Sequence, residues 1–417
     1  MEQDLFRIIV VGGGIAGLAA AIALRGPGRD VLVLEKSQML REVGALISLQ
    51  PNASKIVSSW DLGEFLKDCE PVVDQGFRIM NTDGHVLNNI PTSGHLFGAD
   101  RIIYHRQDLH GALRAAAESS KRPGRPAQIR TGCAVQRIDT AGGKVELASG
   151  EVIEGDLIVG ADGIRSVVRD SVLESSVQPV PTGLSAYRLL IPTEKLKDLE
   201  VDKDIFDPEK PITTMIVGHG SRVVMGPGRG NKLFGIVALV PDEKMNETSD
   251  ADSWTAEGSR DSLRESFVDF PPWVHSLFDA APDVGLWQLR DIPSLSSWVS
   301  GQTILIGDAA HAMLPTQGQG ASQSVEDAEA LQAFFSDVTN RPSRQEVQDR
   351  LARVFDARHE RASLIQAYSR QQARPGTEAG SKKVTLKPEE FLAFNCGYDG
   401  AKDWLSRQRP AQQVVNA

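Results

Sequence analysis

Phe6-Arg7-Ile8-Ile9-Val10-Val11-Gly12-Gly13-Gly14-Ile15-Ala16-Gly17-Leu18 opens a run that continues through Leu24 and ends in Val31-Leu32-Val33-Leu34-Glu35. A short apolar strand meets a glycine turn, an alanine-rich helix follows over Leu18 to Leu24, and a second apolar strand ends in an acid. The glycines have separate tasks in such a run. Gly12 permits the tight turn, Gly14 lets the backbone approach a pyrophosphate, and Gly17 lets the helix pack closely on the strand. First-turn amides of the helix have no partner within it, so they offer a site for anionic phosphate. Glu35 stands where a carboxylate can accept hydrogen bonds from ribose hydroxyls. A lone GxGxxG also occurs in plain glycine turns, but here strand, helix and acid follow in the required order. The pattern does not by itself separate FAD from NAD; its place at the N-terminus of a long chain favours a tightly held FAD.

The 417 residues are 41% hydrophobic and 24% charged, enough for two substructures with their own cores and unlike a disordered or fibrous chain. The net charge is −10 and there is no long basic stripe, which argues against nucleic acid as a partner. No run of about 18 uncharged apolar residues is present, so no integral membrane segment is expected. The N-terminus enters a strand directly where a leader peptide would carry a charged and then an apolar region, and a cytoplasmic location is expected. Cys69, Cys133 and Cys396 are far apart, so no disulfide framework, metal site or redox pair is expected. A FAD-dependent disulfide reductase would need a closely spaced cysteine pair.

Outward from the glycine run, Arg41 to Asn52 is small and apolar, with Gly44 able to let the backbone pass close to a flat ligand and Asn52 placed to cap a helix from Ala53 to Trp60. Gly76 to Ile90 alternates around Asp83-Gly84, a hairpin that starts a second sheet. Arg106 precedes a helix from Leu109 to Glu118 and can pair with a pyrophosphate in two-point fashion; a solvated arginine is the plainer alternative. The apolar strand Leu157-Ile158-Val159 ends in Gly160-Ala161-Asp162-Gly163, an acid between glycines where ligands sit in open parallel sheets. Leu184 to Pro192, Thr213 to Val217, Arg222 to Met225 and Leu233 to Val240 read as strands of a substrate sheet, with helices between Ser259 and Phe278 broken at Pro271-Pro272. A further buried strand, Thr303 to Ile306, ends in Gly307-Asp308-Ala309-Ala310-His311, followed by Pro315 and Gly318-Gln319-Gly320-Ala321. Arg344 to Tyr368 carries Val347, Leu351, Val354, Phe355, Ala362, Ile365 and Tyr368 at helical spacing with charge elsewhere, a structural face laid against the body.

Taken in order, the glycine run with Glu35, then Arg106, Gly160 to Gly163, and Gly307-Asp308 with Pro315 and Gly318 to Gly320 resemble the single-component FAD-dependent aromatic hydroxylases typified by para-hydroxybenzoate and salicylate hydroxylase. The resemblance covers nearly the whole chain. It is closest to the fungal salicylate-hydroxylase-like branch, including Ala186-Tyr187-Arg188-Leu189-Leu190-Ile191-Pro192 and Tyr398-Asp399-Gly400-Ala401-Lys402-Asp403-Trp404. It implies an α/β fold: a Rossmann-like FAD-binding domain in three pieces (1–75, 101–183 and 291–340), an inserted, mainly antiparallel substrate sheet (184–290) with the hairpin 76–100, and a C-terminal helical region (341–417).

By that resemblance Glu35 holds the adenosine ribose, with Lys36 counted beside it, Arg106 holds the pyrophosphate and Asp308 the ribityl chain. Gly320 and Ala321 lie beside the isoalloxazine, with Pro315 and Gly318 counted among the cofactor-binding residues before them, Gly44 and Ala45 border the moving flavin, and Asp162 serves both FAD and NADPH. No second glycine cradle appears, so NADPH or NADH docks transiently in a surface groove. The implied reaction consumes O2 through a flavin C4a-hydroperoxide and oxygenates a small aromatic substrate in a monomer or homodimer. Arg188 is the candidate for anchoring a phenolate or carboxylate, the alternative being a strand-edge salt-bridge arginine. His219 fits a turn better than a base, and His311 a structural hydrogen-bonder. Ser48 stands where some relatives carry His, and Gly226-Pro227 where relatives often have Tyr-Pro.

Other readings share parts of the pattern. Epoxidation of an indole or alkene uses the same oxidant. A flavin-dependent halogenase shares the first motif, but the Trp-x-Trp-x-Ile-Pro run is missing, and an oxidase would make peroxide without NADPH. Dissociation inhibitors and escort proteins keep a similar cradle as a scaffold without redox work; the Asp162 and Asp308 stations argue against that reading.

Overall fold

The computed structural model describes residues 4–38, 45–92, 94–244, 255–373 and 384–412. Leu157–Gly160 and Thr303–Leu305 are buried at every residue, as interior strands of a covered parallel sheet must be. They lie in a six-stranded sheet with the order Val299–Ser300, Thr303–Leu305, Leu157–Gly160, Phe6–Val11, Arg29–Leu34, Gln128–Arg130. Every ladder in it is parallel except the short hairpin at Val299–Ser300. The register aligns Val11 with Leu34 and with Gly160, and Gly160 with Leu305. The loops that follow these four strands therefore leave from one edge of the sheet.

Helix Ile15–Leu24 has no charged residue and buries every side but Ala16, because it is packed between this sheet and helix Gly320–Phe335. Phe335 closes the far end by stacking on Phe6, with ring centroids 5.9 Å apart. A small antiparallel sheet over Val135–Asp139, Lys144–Leu147 and Val152–Glu154 adds Ile138, Val145 and Leu147 to the same core.

The second large sheet has eight strands, in the order Thr255–Glu257, Gly285–Asp291, Val180–Pro192, Leu233–Pro241, Arg222–Gly228, Ile212–Val217, Gly76–Asn81, Val86–Pro91. All pairs are antiparallel except Gly76–Asn81 with Ile212–Val217. The hairpin at Asp83-Gly84 thus joins this sheet at its edge, with Gly84 at φ +85° in the turn. Strand alternation splits Val180–Pro192 cleanly. Tyr187, Leu189 and Ile191 pack with Phe267, Phe270, Leu277 and Phe278 around helices Arg260–Ser266 and Pro272–Ala280. Leu184 and Ala186 face the other way and meet Leu314 of the first body.

Two local expectations are corrected. Asn52 does not cap a helix: the helix is Pro51–Ser59, Gln50 precedes it, and the buried Asn52 side chain donates to Gln319 and Glu326 instead. The segment before it contains a strand, Leu46–Leu49, paired with Ile102–His105. Helix Arg344–Ala373 does not keep its charge off the buried face, because Arg358 and Arg361 are fully buried on it, while Phe355 packs against the core partly buried. Among the described residues no helix is long and apolar enough to cross a membrane.

Candidate functional site

The edge where the parallel strands end gathers most of the predicted residues. Gly12 takes φ +105°, and a side-chain carbon there would lie 2.3 Å from the Ala161 carbonyl oxygen. The glycine turn and the Gly160-to-Gly163 loop therefore touch backbone to backbone. At Gly17 a side-chain carbon would lie 1.9 Å from the Gly12 oxygen and 3.3 Å from Val10, which is the close packing of helix on turn. Gly14 differs, since a side-chain carbon there meets nothing within 4 Å. It borders open space at the start of helix Ile15–Leu24, whose N-terminus has no side-chain cap.

Glu35 follows the second strand and accepts from the Gly13 amide at 2.7 Å and the Ser37 amide at 2.9 Å, which leaves lone pairs on both oxygens for further donors. Lys36 beside it is exposed. His110 was not anticipated: it reaches from helix Arg106–Glu118, buried, with Nε2 2.7 Å from the Gly13 carbonyl oxygen. Nothing local marks it in the sequence, because only the packing of that helix under the turn makes the contact. Asp162 uses its carboxylate on its own loop, accepting from Ser166 Oγ at 2.5 Å and the Val167 amide at 2.7 Å. Burial pushes its pKa up despite those bonds.

Gly307, at φ +58°, approaches the first helix so closely that a side-chain carbon would lie 2.7 Å from Ala16 Cβ. Asp308 follows it, exposed, with no hydrogen bond or ion pair among the described residues. Pro315–Gln317 forms one turn of 3-10 helix, and Gly318 at φ +60° ends it beside Ser48 and Gln50. Helix Gly320–Phe335 then starts with no side-chain cap and with open space where a side chain at Gly320 would project. Ala321 is half-buried in its first turn. Ala45 accepts from the Arg106 amide at 2.8 Å, which ties the segment before Leu46 to the start of helix Arg106–Glu118. Gly44 lies outside the described residues.

These residues fit a dinucleotide. Two uncapped helix N-termini, two glycines open to space and an exposed unpaired carboxylate surround one sheet edge, where phosphates and hydroxyls have donors and acceptors to meet.

Residues 6–363 match the FAD binding domain family. The chain belongs to that family. It is 33% identical over 410 residues to hispidin-3-hydroxylase of Neonothopanus nambi, covering 95% of this chain and 94% of the relative. It is also 33% identical over 428 residues to the FAD-dependent monooxygenase cfoG of Aspergillus candidus, covering 98% and 97%. A substrate complex of salicylate hydroxylase superposes with TM-score 0.79 at 25% identity, over 96% of this chain and 97% of that one. This FAD binding domain protein is accordingly a FAD-dependent monooxygenase with the fold of the para-hydroxybenzoate hydroxylase type.

Across from the sheet edge, Arg188 lies on a central strand, between Val237 and Gly285, and not on an edge strand. By alternation it shares the face of Leu184 and Ala186 that meets the first body. Its guanidinium carbon sits 4.8 Å from the Trp287 ring centroid, and its Nε is buried without a hydrogen bond. It has no carboxylate partner among the described residues. Burial, reinforced by the neighbouring Arg106 cation, lowers its pKa to about 10, which leaves it charged at neutral pH. Trp287 can lie flat there because residue 285 is glycine: a side-chain carbon at Gly285 would fall 2.2 Å from its ring. On the same sheet Gly228 and Gly235 make room for Leu46, where side-chain carbons would come within 2.4 and 2.6 Å of it. His311 is a structural hydrogen-bonder, Nε2 to Asp327 at 2.7 Å, and His219 is exposed in its turn.

Proposed function

We propose that this monooxygenase uses NAD(P)H and O2 to hydroxylate a phenolic or other electron-rich aromatic small molecule, held by its ionised oxygen at Arg188. The observation that carries the reading is a buried guanidinium with no acid to neutralise it among the described residues, beside a second arginine and an indole ring. A buried cation without a partner is costly, and an anionic ligand relieves it. Relatives named for the hydroxylation of hispidin and of salicylate support an oxygenated ring as substrate.

Bound FAD would supply reduction by NAD(P)H and activation of oxygen. One oxygen atom enters the substrate and the other leaves as water, with both electrons taken from the nicotinamide. Glu35, Lys36, the glycine turn, Arg106 and Asp162 serve the adenosine and pyrophosphate side in this reading. Asp308 serves the ribityl chain, and Pro315, Gly318, Gly320, Ala321 and the segment at Gly44-Ala45 serve the ring. The chain's own part is to exclude water and to hold the ionised phenol, since a phenolate is a far better nucleophile than a phenol. The domain pieces set out from the sequence, with the sheet of residues 184–290 over the flavin side, are the architecture this requires. An acidic surface and co-substrates of the cell interior fit a cytoplasmic monomer or homodimer.

The test is to follow NADPH oxidation by the purified protein against a panel of phenols, salicylates, resorcylates and indoles, with products weighed by mass spectrometry. Faster NADPH use with a gain of one oxygen atom in the substrate is expected for acidic phenols. A protein that oxidises NADPH with none of them, or that prefers neutral alkenes, would overturn the reading.

A further inference from the structure

Helices Gly320–Phe335 and Arg344–Ala373 meet through a fully buried set of charges that touches no open site. Glu326 and Asp327 are adjacent on the first helix, and Arg358 and Arg361 lie on the second. Arg361 forks onto Glu326 with bonds of 2.7 and 2.8 Å. Arg358 spans both acids, to Asp327 at 2.9 Å and to Glu326 by a short contact. Two cations meet two anions, so the cluster is neutral without water.

What else the two carboxylates accept is specific. Asp327 Oδ2 accepts from the Gly307 amide at 2.9 Å and lies 2.7 Å from His311 Nε2, so it grips both ends of the short helix that Asp308 begins. Glu326 Oε1 accepts from Asn52 Nδ2 at 2.6 Å, and the same Asn52 nitrogen donates to Gln319 at 3.1 Å. Gln319 is the residue before the open start at Gly320. One side of the pair sets the Gly307-Asp308 loop, and the other sets the Gln319-Gly320 turn.

The Tyr398-to-Trp404 run closes the cluster from outside. The Arg361 guanidinium carbon lies 4.7 Å from the Tyr398 ring centroid and 5.2 Å from that of Trp404. The Tyr398 hydroxyl and the Ala401 amide both donate to Glu329 at 3.0 Å, one helical turn beyond Glu326. An aromatic lid therefore fixes the arginines, the arginines fix the acids, and the acids fix two loops of the cofactor edge.

We propose that Glu326 and Asp327 are positioning residues for the FAD site, and that the C-terminal helices belong to that site through Arg358 and Arg361 without reaching the cofactor. This rests on the reading that Asp308 and Gly320 face FAD. The experiment is an FAD titration of the apoprotein, read by quenching of flavin fluorescence and by the visible flavin band, with the thermal midpoint of each apoprotein measured alongside. Arg358→Lys keeps the charge but cannot span two acids at once, and Asp327→Asn sets an amide against a donor. The expected result is an FAD Kd raised at least tenfold and a changed flavin band in both, for protein that is folded at the assay temperature. If Asp327→Asn does not fold, Arg358→Lys decides alone. Kd within twofold of the parent, with only a lower thermal midpoint, would overturn the proposal and leave the cluster as ordinary core. Asp308→Ala separates the two ideas: if it too leaves FAD binding unchanged, the reading of the site fails and carries the proposal with it.

Discussion

Arg188 illustrates how one residue's surroundings define its chemistry. A guanidinium on a central strand, out of reach of any carboxylate among the described residues, is held charged by its intrinsic basicity alone. Replacing it by Gln removes a charged hydrogen-bond donor from an anionic ligand, a loss of about 1.5 to 3 kcal/mol. Steady-state kinetics should show kcat/KM for an acidic phenol down by about ten- to a hundredfold, with the FAD Kd unchanged. A parallel loss of FAD would mean that Arg188 serves the cofactor instead. The glycines give a second contrast at this scale. Gly17→Ala drives a methyl group into the Gly12 carbonyl oxygen and should abolish folding or FAD retention. Gly14→Ala projects into empty space, so the apoprotein should melt near the parent temperature while FAD binds more weakly. Thermal melts of both apoproteins, paired with FAD titrations, check this.

Among the elements, the helix pair that carries Glu326, Asp327, Arg358 and Arg361 holds the largest concentration of buried charge. Burial alone would push the Asp327 carboxyl up, but His311 and Arg358 outweigh it and hold it at about 2. A depressed carboxyl contributes stability that is fully present above its unfolded value near 4 and is lost as pH falls through its folded value. The contribution is about 2 to 3 kcal/mol at neutral pH. The stability difference between the parent and Asp327→Asn apoproteins, measured by urea unfolding, should therefore shrink steadily as pH falls below about 4. A difference that stays level down to pH 3 would contradict the assignment. The same elements explain why the helix stripe was only partly legible. Apolar spacing located Val347, Leu351, Val354, Ile365 and Tyr368 on the buried face, but an arginine at a buried position looks like any solvent arginine until its acid is found on another helix.

For the whole molecule, the reading of Arg188 as a substrate anchor beside the cofactor needs the two large sheets held in one orientation. Asp74 is a buried joint between the eight-stranded sheet and the small sheet that holds Ile102–His105. It accepts from Arg101 at 2.6 Å and from Thr213 Oγ1 at 2.7 Å, so it links the strand pair at Val72–Val73 and Ile102–His105 to the eight-stranded sheet. Asp108 and Arg229 form a second joint by a two-point pair of 2.8 and 2.6 Å. Asp74→Ala leaves the Arg101 charge buried without its partner and should cost about 3 to 5 kcal/mol, seen as a lower urea midpoint. Arg229→Ala sits at a partly exposed pair and should cost about 1 kcal/mol or less. If the two variants are equally stable, Asp74 is not the joint described.

Local order along the chain determined the cradle, the strands at Leu157 and Thr303, the hairpin at Asp83-Gly84 and the separate strands of the second sheet, because glycine placement and apolar periodicity act over a few residues. Loop glycines were readable for the same reason: the steric demand at Gly12 or Gly17 is written in the residue type. Tertiary structure alone decided that Asn52 is buried under Glu326, that His110 supports the glycine turn, that Trp287 lies beside Arg188, and that Arg188 has no acid near it among the described residues. Each of these is a relation between segments tens to hundreds of residues apart. Burial and pairing are properties of the assembled surroundings, and a charge or an amide acquires its role only when the other side of the contact arrives.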